Sequence, residues 1–254
     1  MAAVPRSETL RSLVGMSLPP RRPPGRHALA RYAFAGGYLI CFGIAGVVYT
    51  RLTPHGQAAL TAWASTNVAN LSREPAGPLV LSAFMAPGYY LAWTALIALA
   101  LFGANRAFGN GRTALICVAG HVIGTGISEG IVAGRVDAGQ LPDADRYLTD
   151  VGPSYLVVSA IVIAVICGTW LARALAVIDF AILVFAVHIF SGLSQLDVAA
   201  VGHLTAMLTA AALIAVASAG RARRGRRDES GHVADADTNQ VGDPGGSGSQ
   251  YQLS

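Results

Sequence analysis

Ser154 and His203 are the residues of this chain whose types and surroundings fit nucleophilic chemistry. Each stands near one end of an apolar run, Ser154 in TDVGPSYLVVSAIVIAVI and His203 in LDVAAVGHLTAMLTAAALIAV. A serine hydroxyl becomes a nucleophile when an imidazole within hydrogen-bond reach takes its proton. Pro153 suits the first turn of a helix, because its missing N–H would go unpaired there anyway. The first N–H groups of such a helix lack internal acceptors and lie at the positive end of its dipole. The amides of Ser154 and Tyr155 are therefore candidate oxyanion donors beside a hydroxyl. Gly202 next to His203 would let two helices approach closely. The plain alternative is that each polar group only hydrogen-bonds a neighbouring helix.

Depth along the apolar runs groups other polar residues with this pair, at 1.5 Å of rise per residue. Ser128 and Glu129 fall in the same outer layer, as do Pro87, Gly88, Tyr89 and Tyr90. His188 falls at its lip; His121 and Asp179 fall deeper. Ionisable groups inside a membrane are costly and face a cavity or a partner, so Glu129, His121 and Tyr89 are candidate supports for the serine. Asp150 and Asp197 stand where each would cap the following helix.

The elements that carry these residues read as membrane spans. Of 254 residues 53% are hydrophobic and 13% charged, against about 25% charged in soluble domains. A span needs about 20 apolar residues. Six segments are expected: 30–49, 79–102, 113–133, 154–167, 170–190 and 198–219, the fourth the shortest. All the positive charge is arginine, most of it gathered before the first span, between the second and third, and after the last. By the positive-inside rule both termini are cytoplasmic in a cell membrane, and the basic tails set topology; no nucleic-acid partner is expected. The Pro- and Arg-rich leader 1–27 and the polar tail 221–254 read as disordered, flanking a membrane domain at 28–220. Between the first two spans, Leu60, Trp63, Ala64, Val68 and Leu71 share one face of an expected amphipathic helix over 57–73, suited to the membrane surface. Cys41, Cys117 and Cys167 have no metal or disulfide spacing, and neither a metal nor a cofactor is expected.

The serine and histidine segments, GPSY at 152–155 and GHLTA at 202–206, together with LFGANRAFGNGR at 101–112, resemble the rhomboid family of intramembrane serine proteases. The resemblance covers about residues 30–219. It implies an all-α, six-helix membrane bundle with a long, partly submerged first external loop. It implies Ser154 as nucleophile and His203 as base, with Gly152 in the Gly-x-Ser turn. The chain departs from the family pattern at several places. Tyr155 replaces the second glycine of the serine motif. Leu91 and Ala95 fall where the second span carries the oxyanion His and Asn, Ala86 where a further His stands, and Ala107 where Glu is frequent.

Two functions follow from the resemblance. One is an endopeptidase cutting transmembrane substrates near their outer end; the other is a pseudoprotease holding client membrane helices uncut. A small transporter lined by His121, Asp179 and Glu129 is a third class, without the inverted repeat or broken helices that would support it.

Overall fold

The computed structural model describes residues 30–240, with side chains described to residue 220. Long apolar runs bounded by Gly, Pro and short polar residues give helices, and no strand occurs among the described residues. In order they are α1 (Ala33–Arg51), α2 (Pro54–Ala64), α3 (Val68–Arg73), α4 (Ala76–Ser82), α5 (Tyr90–Phe108), α6 (Asn110–Asp137), α7 (Ser154–Cys167), α8 (Trp170–Phe185) and α9 (Val198–Gln240). Single 3₁₀ turns lie at Asp143–Tyr147 and Leu193–Gln195. The helix α9 continues past the expected domain boundary at residue 220. The leader 1–27 and the tail beyond 240 lie outside the described residues.

Four helices are long and apolar enough to cross a membrane: α1, α5, α6 and α9 as far as Gly220. Their outward faces are apolar as well; on α1, Ile40 and Val47 are 65% and 60% exposed. The fourth and fifth expected spans are shorter helices. The 14 residues of α7 span roughly 21 Å, against a hydrocarbon core of about 30 Å. α7 is the centre of the bundle, packed against α5, α6, α8 and α9. Every residue from Tyr155 to Ala164 is buried. A helix that is apolar all round is one buried all round, and here the burial is in protein.

The second expected span is shifted. Its first residues belong to α4, which ends at Ser82, and a non-helical connector over 83–89 leads into α5 at Tyr90. Gly88, at φ +77°, turns the chain here, a conformation that costs glycine little. The expected loop helix over 57–73 is two helices. Ser65–Asn67 breaks the run, and Asn67 caps α3 by accepting the Asn70 N–H at 2.9 Å. Ala64 is buried and Leu60, Val68 and Leu71 are half-buried, as the amphipathic face requires. Trp63, assigned to that face, is 53% exposed, and the polar Thr66 is 1% exposed. The break rotates α3 against α2 and turns Thr66 inward.

Candidate functional site

Ser154 is the first residue of α7. The first backbone bond of that turn runs from the Val157 N–H to the Pro153 carbonyl at 2.9 Å, so the amides of Ser154, Tyr155 and Leu156 precede the helical ladder. The turn before it is held from two sides. Gly152, at φ +150°, donates its N–H to the Ser82 carbonyl at 3.0 Å. Asp150 donates its N–H to Ser65 Oγ at 2.9 Å. Its carbonyl accepts the Thr66 N–H at 2.9 Å and the Thr66 hydroxyl at 3.0 Å. Asp150 does not cap α7, the role its position suggested. Its carboxylate accepts hydroxyls from Thr66 at 3.2 Å and Tyr155 at 3.3 Å. Burial pushes the Asp150 carboxyl above the usual carboxylate range, and these two hydroxyls partly oppose the shift. Asp197 does cap α9, accepting the Ala199 N–H at 3.1 Å.

His203, 4% exposed, is oriented by the chain end of α8. Its Nδ1 lies 3.0 Å from the Ile189 carbonyl. A carbonyl only accepts, so Nδ1 carries the proton and Nε2 of the neutral ring carries the lone pair. That Nε2 is buried and has no hydrogen-bond partner among the described residues.

The side chain against His203 is Tyr155. The two ring centroids are 4.9 Å apart at 81°, edge to face. The Tyr155 hydroxyl also lies 3.3 Å from the Val198 carbonyl at the start of α9. Gly202 makes room for the phenol, and Gly124 lets α6 and α9 approach closely there. A Cβ on Gly202 would stand 2.2 Å from Tyr155 Cζ and from its hydroxyl oxygen, and one on Gly124 would stand 2.9 Å from the Gly202 carbonyl. Ser154 is half-buried and hydrogen-bonded to neither His203 nor any other described side chain.

One of the expected supports reaches this cluster by another route. His121, expected deeper, has its ring centroid 6.1 Å from that of Tyr155. Its Nε2 donates to the Leu79 carbonyl at 2.9 Å and lies 3.3 Å from Ser82 Oγ. Through Ser82 it braces the Gly152 turn. Glu129 is 3% exposed and neither carboxylate oxygen has a hydrogen-bond partner among the described residues. Ser128 donates to the Thr125 carbonyl of its own helix at 3.2 Å. Tyr89 is 69% exposed and contacts neither Ser154 nor His203. Leu91, at 86% exposure, and Ala95 face out of the bundle, so the places assigned to an oxyanion His and Asn are not aimed at the serine. The polar strap Ser65–Thr66–Asn67 was not singled out beforehand. Its signal is three consecutive hydrogen-bonding residues interrupting an amphipathic period.

A family model for rhomboid-like proteins matches residues 30–223. The chain belongs to the rhomboid-like family. No curated protein and no solved structure matches it. The family assignment and the four long apolar helices together make this a rhomboid-like membrane protein.

Proposed function

We propose that this rhomboid-like protein is a pseudoprotease that holds client membrane helices without cutting them. The observation that carries the reading is the position of Tyr155. Its phenol fills the space over Gly202 and lies edge-to-face on His203, and no hydrogen bond joins Ser154 to His203. A general base works through a hydrogen bond to the nucleophile, and in this arrangement the tyrosine occupies the flank of the base. Oxyanion donors beyond the helix amides are also wanting, since His121 is engaged by the Leu79 carbonyl. The client role itself comes from the family resemblance.

A second reading, a serine endopeptidase, has a specific observation in its favour. The His203 Nε2 lone pair is buried and unpaired, and native proteins seldom leave such an atom without a purpose. In that reading a rotation of Tyr155 lets Nε2 take the Ser154 proton as Oγ attacks a backbone carbonyl. The Ser154 and Tyr155 amides then hold the oxyanion.

A fluorophosphonate probe on the detergent-solubilised protein separates the two. The pseudoprotease reading predicts no covalent label on the wild type. It also predicts that photo-crosslinking to a co-reconstituted single-span model helix is unchanged in Ser154→Ala. Labelling of the wild type that vanishes in Ser154→Ala and drops sharply in His203→Ala would establish the endopeptidase instead.

A further inference from the structure

At the end of the bundle away from Ser154, a groove of about 710 Å³ opens between α5 and α8. Its walls are apolar, with Leu99 and Phe102 from α5 and Leu175 from α8. Tyr32, just before α1, packs against Phe102 in a tilted pair with ring centroids 5.5 Å apart. Trp170, the first residue of α8, stands at the mouth and is 80% exposed. Arg106, in the last turn of α5, is the one charged residue of the lining. It has no hydrogen bond or ion pair among the described residues.

The helix ends that meet here carry Arg31, Arg106, Arg112 and Arg173 and, among the described residues, no aspartate or glutamate. Two of these cations are engaged locally. Arg112 lies over the Phe108 ring at 5.8 Å, and Arg173 donates to the Ile166 carbonyl at 3.1 Å. Arg106 alone faces the groove. A guanidinium without a protein partner, at the polar end of an apolar slot, matches a phosphodiester above a hydrocarbon chain. An exposed Trp170 beside the half-buried Tyr32 suits the depth of lipid headgroups. The volume falls in the range of about 300–1,000 Å³ usual for small-molecule sites. Basic pockets between membrane helices take anionic headgroups for these reasons.

We propose that this groove binds one anionic phospholipid, its phosphate on the Arg106 guanidinium and an acyl chain between α5 and α8. The site is independent of whether Ser154 reacts.

Native mass spectrometry of the delipidated full chain in a neutral detergent tests the proposal. Phosphatidylglycerol and phosphatidylcholine with identical acyl chains are titrated separately. Phosphatidylglycerol is expected to bind more tightly, and Arg106→Gln to weaken it about fivefold, the share of one arginine near an anionic headgroup. Arg112→Gln, at the same end but outside the groove, is expected to leave binding unchanged. Leu99→Trp, which fills the slot, is expected to weaken both lipids. Equal affinity for the two lipids would overturn the proposal. So would unchanged binding in Arg106→Gln, or an equal loss in Arg112→Gln, which would assign the effect to diffuse charge. Displacement of the lipid by glycerol 3-phosphate at equal concentration would show that the chain contributes nothing, and would also overturn it.

Discussion

In the proposed pseudoprotease Tyr155 is the residue on which the reading turns, because its ring lies edge-to-face on His203. Its ring leaves no space for any side chain at 202. Gly202→Ala puts a Cβ 2.2 Å from the phenol. We expect it to lower stability by about 1–3 kcal/mol through overpacking, measured as thermal unfolding in detergent. Combining it with Tyr155→Gly removes the clash, so the double variant should be more stable than the sum of the single effects requires. Additive losses would show that the two residues do not touch. Asp150 gives a pH signature at the same scale. Its carboxyl is raised in the folded state by burial. Its contribution is thus fully present below the unfolded value of about 3.9 and is lost as pH rises through the folded value. Asp150→Asn keeps an acceptor for Thr66 and Tyr155 but does not ionise. The stability of wild type relative to Asp150→Asn should therefore fall as pH rises from about 4. A difference independent of pH would remove Asp150 as the source.

At the scale of elements, the serine turn owes its place to a strap. Ser65 Oγ accepts from the Asp150 N–H at 2.9 Å and from Asn67 Nδ2 at 3.2 Å. Ser65→Ala leaves that half-buried Asp150 N–H without its partner. We expect a cost of about 1–3 kcal/mol and faster amide exchange confined to residues 148–152. Exchange that rises evenly across the bundle would mean a general loss of packing instead. The existence of α2 and α3 was legible from the spacing of Leu60, Ala64, Val68 and Leu71. Their separation was not, because periodicity continues across Ser65–Asn67 and only a tertiary contact to residues 148–152 explains the break. The start of α5 was misread for a related reason. The run from Leu79 is apolar throughout, and hydropathy does not distinguish a helix from a buried connector such as 83–89.

At the scale of the molecule, the family and the helical membrane class were legible from composition and three short motifs. Depth along the runs made legible only an expected layer of polar residues around Ser154. Which of them touch was not, since depth fixes a layer and leaves rotation about each helix free. Tyr89 and Leu91 lie in the expected layer yet face outward, whereas His121 reaches Tyr155 from a deeper position. The charge pattern makes one further prediction. With Cys41, Cys117 and Cys167 replaced, single cysteines at Asp143 and Ser230 should react with an impermeant thiol reagent from opposite sides of intact cells or vesicles, Asp143 from outside. Reaction of both from outside would refute six crossings with cytoplasmic termini.

The interlock of Tyr155 with Gly202 also limits how this sequence can change over generations. Replacing Tyr155 by glycine would give the serine motif its second glycine but leave a phenol-sized void at the centre of the bundle, at a cost of about 3–5 kcal/mol for losing a large buried aromatic side chain. Enlarging Gly202 first is barred while the ring is there. A change to glycine at 155 must therefore pass through a less stable form or wait for compensating growth elsewhere in α6 or α9.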